Sequence, residues 1–335
     1  MLDFPPILTE IVEKVTIDPN FTISHPDYPP LVTAPDTLSK LQQMAGELQQ
    51  KYLVAQVQNY LYDIYFSHSQ MSTQELDFAA REDRAVRNNM IDGIDIDFYP
   101  RLMQSNTSRG YFDSDWEIVA EAPLGELIVV KNGLHIHIDP HLHLSPEVSR
   151  AVGTIVPIYL PPNLAGRDTY IAIGNAGVPD AESIEIYFNF TPDAAVEISR
   201  ALTIELNQLE ISFQFAILHD PALFHRYDAG TLTLSQADYD LVHPVLAKIY
   251  QTYQAAFAAP VPLFSKQLAP GLGLVEKSTS FEDFGLHRCQ LVATGLVQAT
   301  LQGQTTSVEK LNLIEQEFES AEINLHQPYS HLAPV

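Results

Sequence analysis

Trp116-Glu117-Ile118-Val119-Ala120-Glu121, Glu126-Leu127-Ile128-Val129-Val130 and Leu134-His135-Ile136-His137-Ile138 follow one another within a short span, and their reading decides the fold class. Each run is rich in β-branched residues or alternates apolar with polar positions, the pattern of a strand. Between the last two stands Lys131-Asn132-Gly133, a good hairpin turn because Asn and Gly tolerate positive φ. Thr154–Leu160 adds a fourth strand. Further along, Tyr170–Ile173, Ile184–Phe190, Phe213–Leu218 and Gly230–Leu234 read as strands, the third of them buried. Helices alternate with these: Pro192 fits the first turn of a helix running to about Leu206, Ser235 caps one to about Phe257, Asp283 caps one through Ala299, and Ser307–Ser320 is the last. An early cluster of hairpins followed by mixed elements points to α+β, a mixed or antiparallel sheet with packed helices, rather than a doubly wound parallel sheet.

The first 105 or so residues read as mostly helical. A short helix is expected at Leu8–Val15, followed by a loop containing Pro26, Pro29 and Pro30. Asp36 is a candidate N-cap for a long helix reaching Phe66, whose Leu53, Val57, Tyr60, Leu61, Ile64 and Tyr65 recur at helical spacing and suit a packed face. A second helix is expected over Ser72–Asn88, with Arg81, Arg84 and Arg87 on a solvated side paired with Glu82 and Asp83. The expected division is a helical region over 1–105 and an α+β domain over 106–335.

Composition narrows the function. The chain has 335 residues, 46% of them hydrophobic, enough for a sizeable core. Its net charge of −24 argues against sequence-independent binding to nucleic acid or to an anionic membrane surface. A phosphate-bearing ligand would have to find a local basic pocket in a repulsive field. The single Cys, Cys289, excludes an intrachain disulfide and reads as a small core residue. The N-terminus lacks the basic and apolar regions of a signal peptide and a long Ser-rich leader, and no run reaches the ~20 apolar residues of a membrane span. The expectation is a cytoplasmic protein without a cofactor.

Several motifs suggest chemistry. His135, His137 and Asp139 would share one strand face and could converge on a metal, but a solvent-facing strand explains the alternation more simply, and no metal site is assigned. Gly271-Leu272-Gly273 lacks the ending of a phosphate loop and reads as a tight turn. The chain has no GxSxG elbow, HExxH or CxxC. With only 18 Lys and Arg in the chain, each basic residue in an apolar setting needs a reason. Arg288 sits in the first turns of a helix, where free N–H groups and the dipole favour an anion; Arg226-Tyr227-Asp228 offers a second Arg. Buried Arg288–Asp228 or Arg226–Asp283 pairs would account for them equally well. Lys131 and Lys266 stand beside turns and could complete a basic pocket, or simply be exposed.

The order and spacing of Asn59-Tyr60-Leu61-Tyr62-Asp63-Ile64-Tyr65, Gly110-Tyr111-Phe112-Asp113 with Trp116, Val130-Lys131-Asn132-Gly133-Leu134, Tyr187-Phe188-Asn189-Phe190-Thr191-Pro192, Phe213-Gln214-Phe215, Arg226-Tyr227-Asp228, Pro270–Leu274 and Phe284–Cys289 resemble the HopA-type type III effector family and its bacterial relatives, over roughly residues 45 to 330. The resemblance implies either an injected effector with a chaperone or a stand-alone relative. Some relatives are lyase components of class V lanthipeptide or thioamitide-type peptide modification. In those systems a small kinase phosphorylates Ser or Thr, and the HopA-like protein eliminates the phosphate to leave a dehydroamino acid.

Such an elimination needs a base for a Cα proton, cations for the departing phosphate and an acid. On this chain Arg226 and Arg288 would grip phosphate, Lys131 or Lys266 would take the proton, His287 or His219 would be the acid, and Asp228 would support them. The family pattern also has an Arg two residues before the Tyr of Tyr187-Phe188-Asn189 and a Lys just after Phe213-Gln214-Phe215. Here those positions hold Glu185 and Ala216. Two readings follow: a phosphoserine/phosphothreonine lyase whose activity is reduced or lost, or a non-catalytic scaffold of the same fold that binds a peptide or a partner kinase.

Overall fold

The computed structural model describes residues 4–75, 90–91, 94–179, 182–277 and 283–330. It opens with α1 (Pro6–Lys14), β1 (Thr16–Ile17), β2 (Ile23–His25) and β3 (Tyr28–Leu31), then α2 (Pro35–Leu41) and α3 (Gly46–Leu61), which passes into a π-helical turn over Tyr62–Phe66. After β4 (Met90–Ile91), β5 (Ile94–Asp95) and α4 (Phe98–Ser105) comes a small sheet: β6 (Tyr111–Glu121), β7 (Leu127–Lys131), β8 (Leu134–Ile138), the one-turn α5 (Pro140–His143) and β9 (Ile155–Leu160). The remainder is β10 (Asn163–Ala165), β11 (Thr169–Ile173), β12 (Ser183–Phe188), α6 (Pro192–Gln208), β13 (Phe213–Leu218), β14 (Gly230–Ser235), α7 (Tyr239–Tyr253), β15 (Lys266–Ala269), β16 (Leu272–Lys277), α8 (Phe284–Leu301) and α9 (Ser307–Ser320).

The larger sheet has seven strands in the order β10-β11-β13-β14-β12-β16-β15, and every pairing is antiparallel. The fold is therefore α+β. Strand parity assigns its two faces. Ile184, Ile186 and Phe188 of β12, with Phe213, Phe215 and Ile217 of β13 and Leu232 and Leu234 of β14, enter one core beneath α4, α6 and α7. The opposite residues, Tyr187 of β12 and Val275 of β16, enter a second core with α1, α3, α8 and α9. The N-terminal helices thus share a core with the last two helices of the chain.

Helix α8 is central to that second core because nearly all of it is apolar or small. A Cβ at Gly295 would stand 2.7 Å from Ile314 Cγ1, so the missing side chain is what lets α9 approach. The Asp283 carboxylate accepts the Leu286 N–H and caps α8, as its sequence suggests. Cys289 lies wholly buried on this helix, and burial pushes its thiol pKa up. Trp116, Ile118, Val129 and Val156 fill a separate core under the four-stranded sheet, ordered β8-β7-β6-β9. Asn132 (φ 50°) and Gly133 (φ 80°) make the two-residue turn joining β7 to β8.

The local readings that fail do so for identifiable reasons. The Pro29-Pro30 stretch is β3 rather than loop, since Pro is tolerated on a sheet edge. The expected long helix is two helices with a break before Gly46. Ala34 rather than Asp36 stands at the N-cap position of the first of them, without a side-chain bond, because Pro35 fits its opening turn. After Ser235 comes a single 3₁₀ turn over Gln236–Asp238; the α-helix starts at Tyr239 and stops at Tyr253, short of Phe257. The hairpin β15–β16 around Gly271 (φ 75°) was legible only as its turn. The helix expected over 72–88, with Arg81, Arg84 and Arg87, lies outside the described residues beyond its first turn.

Candidate functional site on the second face of the large sheet

The register places Glu185 and Ala216, where the resemblance leads one to expect basic residues, on one face. Glu185 pairs across β14 with Thr233, which pairs with Gln214; Tyr187 pairs with Thr231, which pairs with Ala216. Glu185, Tyr187, Thr231, Thr233, Gln214 and Ala216 therefore project to the same side, opposite the α6–α7 core. Tyr187 is buried under Phe66, with ring centroids 5.5 Å apart. Ala216, Gln214, Thr231 and Thr233 are only half-buried, so this part of the face is shallow and partly open.

A charged cluster adjoins it. Glu185 accepts a hydrogen bond from Tyr187 Oη (2.7 Å) and pairs with Lys277 Nζ (2.9 Å). In the turn before β14, Arg226 donates Nε–H and Nη2–H to the two Asp228 oxygens, both at 2.8 Å, a bidentate pair that is largely buried. Burial lowers the Arg226 pKa, but the bond and charge of Asp228 outweigh it and the net shift is upward. Tyr62, from the π-helical turn, lies within electrostatic reach of Asp283, Asp228 and Arg226, and its pKa is raised chiefly by burial. Partial removal of the carboxyl from water raises the Asp283 pKa, with the charges of Glu185 and Asp228 adding to the effect, although the residue as a whole is exposed. Three carboxylates thus meet two paired cations where phosphate recognition would need a surplus of positive charge.

The other expected site residues are distributed as follows. Arg288 is fully buried over the Phe284 ring (4.8 Å) and donates to the Pro328 carbonyl (2.9 Å), with His287 Nδ1 2.7 Å from its Nη1. Among the described residues it has no carboxylate partner, and burial lowers its pKa to about 10. Neither of the expected pairs, Arg288–Asp228 or Arg226–Asp283, forms; Arg226 takes Asp228 instead. Lys266 stands exposed on β15, 5.6 Å from the Tyr329 ring centroid. Arg288 and Lys266 therefore both hold the chain's own C-terminal segment. Lys131 pairs with Asp113 (2.8 Å) beside Trp116, within the small sheet. His219 is buried against Tyr99 with Nδ1 unpartnered; Tyr99 packs on the α6–α7 core, so His219 faces away from Glu185 and Tyr187.

Arg226 and Asp228 are the expected residues that enter the cluster, and Tyr62, Lys277 and the two Thr residues are what sequence reasoning missed. The alternation of β12 and β14 could have exposed the Thr residues; Lys277 belongs to a strand that was not read. Asp139 leaves the strand of His135 and His137 to cap α5, so the three do not form one face. Among the described residues no group of three His, Cys, Asp or Glu is placed to hold a metal. None of the described helices is long and apolar enough to cross a membrane. The larger described concavities, such as that between α3 and α8 lined by Lys51, Val54 and Gln290, lie away from this cluster.

The family profile of HopA1 effector proteins matches residues 160–330, just over half of the chain, and covers the whole of the large sheet with α6 to α9. The chain belongs to the HopA1 effector protein family. Among solved structures it is similar to the effector protein from Pseudomonas syringae pv. tomato strain DC3000, at 16% identity and a TM-score of 0.40. It is also similar to the effector protein from Pseudomonas syringae pv. syringae strain 61, at 13% identity and a TM-score of 0.38. Each comparison covers 48% of this chain and 62% of the other, so the chain spans less than two thirds of these effectors. No curated protein matches the sequence. The small sheet, β6 to β9, lies ahead of the family match.

Proposed function

We propose that this HopA1-family protein binds a peptide segment of a partner protein, such as a kinase, on the half-open face of the large sheet, and that phosphate elimination there is reduced or lost. The observation that carries this reading is the state of the cations. Arg226 is held by Asp228, Lys277 by Glu185 and Lys131 by Asp113, while Arg288 is buried under the C-terminal segment. A cation engaged with a carboxylate offers a departing phosphate little, and Glu185 repels it. Ala216 has no proton to exchange. The open strip of Thr231, Thr233, Gln214 and Ala216 keeps polar side chains for an extended peptide. An effector-type role would make the peptide part of a host protein; a peptide-modifying role would make it part of the modified peptide or its kinase.

The lyase reading is tested by incubation with phosphoserine and phosphothreonine peptides, followed by mass spectrometry. The expected result is unchanged peptide alongside an active family member. Loss of phosphoric acid with a dehydroamino acid product, at a rate matching the active family member, would establish a competent lyase and overturn the reading.

A further inference from the structure

Sheet edges expose backbone donors and acceptors, and folded proteins protect them by shortness, Pro, bulges, Lys or a covering element. The edges here follow that rule, with one departure. In the large sheet, β10 is three residues long, and β15 begins with Lys266 and is bulged against β16. In the N-terminal sheet, β1 is two residues long and β3 contains Pro29 and Pro30, and β4 and β5 of the two-stranded sheet have two residues each. In the small sheet, β9 carries Pro157, is irregularly paired to β6, and packs against α5. The remaining edge, β8, has five residues, no Pro, no Lys and an unbroken register with β7.

The register also says which groups are bare. Lys131 and Leu134 flank the two-residue turn and exchange hydrogen bonds, so in an antiparallel ladder Ile136 and Ile138 do the same with Val129 and Leu127. The N–H and C=O groups of His135 and His137 then point away from β7. No backbone partner for them is found among the described residues. Both side chains are exposed, with His137 Nδ1 3.3 Å from Glu126.

We propose that β8 is a docking edge that takes an extended, basic segment of a partner protein as an added strand, pairing with the backbone of His135 and His137. Charge selects this occupant. Residues 111–160 contain seven Asp and Glu against two Lys and Arg, and Glu117 lies on the same face as His135, two strands away through Val130. A second copy would bring another −24 to the contact, whereas Lys or Arg at alternate positions of an added strand would face this acidic surface. The site is separate from the large-sheet face and lies ahead of the family match, so the two can fail independently.

The test uses the full chain and a displayed library of extended peptides in which Val alternates with randomised positions. Selected peptides are expected to be enriched in Lys and Arg, and to protect the His135 and His137 amides from hydrogen exchange. His135→Pro removes an outward N–H without touching a bond to β7, and should weaken these peptides at least about tenfold. His135→Thr keeps the N–H and should leave binding within about threefold. Exchange protection in the unsubstituted chain reads the same contact should the Pro variant fail to fold. The proposal is overturned by a library yielding no basic binders, by binders that leave both amides unprotected, or by a dimer of the unsubstituted chain that His135→Pro dissolves.

Discussion

Ala216→Lys combined with Glu185→Arg is expected to raise phosphate elimination from a phosphothreonine peptide by about 10²- to 10⁴-fold over the parent. The two positions project from one face, with β14 between them, so their Cα atoms are separated by two strand spacings across and two residues along, roughly 12 Å. A phosphorylated residue lying over Thr231 and Thr233 would have both new side chains within reach. Removing Glu185 also releases Lys277 and the Tyr187 hydroxyl, which that carboxylate now holds. The introduced lysine would then sit among cations, which lowers its pKa towards that of a useful base. Each single substitution should recover much less: arginine alone supplies charge without a base, and lysine alone still faces Glu185. Single-turnover assays with mass detection measure this. A double variant with no more elimination than the parent would mean that Glu185 and Ala216 are not what limits the reaction on this fold.

Asp228→Asn is expected to destabilise the protein by about 2–4 kcal/mol, read as a lower urea midpoint. The Arg226 and Asp228 side chains are only 19% and 10% exposed, so a neutral amide leaves a guanidinium with poor access to water and one strong acceptor fewer. Converting both residues, Arg226→Met with Asp228→Leu, should cost much less than Asp228→Asn alone, because no uncompensated charge remains. If Asp228→Asn lowers stability by less than about 0.5 kcal/mol, the pair is not the anchor of the turn before β14, and Arg226 is available to a ligand after all.

Much of the fold could be read from local patterns. Phe213–Leu218 and Ser307–Ser320 stand where their apolar patterns put them, and Asp283 caps α8. Elements whose limits depend on tertiary contact were less legible. The break before Gly46, the Pro-containing β3 and the β15–β16 hairpin carry weak local signals; β16 is held by β12, and the Pro29 carbonyl of β3 accepts from Tyr60 and Gln70, all distant in sequence. The site was legible as a set of residue types rather than as a place. Arg226-Tyr227-Asp228 stood out for its rare basic residue, yet nothing local says that Arg226 turns to Asp228 two positions on. Glu185 and Ala216 were visible as departures, but that they share one face follows only from the register across β14. Lys131 and His219 were grouped with them by chemistry alone; the fold gives Lys131 to the small sheet and turns His219 to the other core.

If, as proposed, the half-open face of the large sheet binds peptide and disfavours phosphate, the contact can be read residue by residue. Amide-resolved NMR titration with one Thr-containing peptide, free and phosphorylated, tests it most directly. The unphosphorylated peptide is expected to shift Gln214, Ala216, Thr231 and Thr233, and phosphorylation to weaken binding because Glu185 and Asp228 face the added charge. Tighter binding of the phosphorylated form, or shifts confined to other elements, would contradict it.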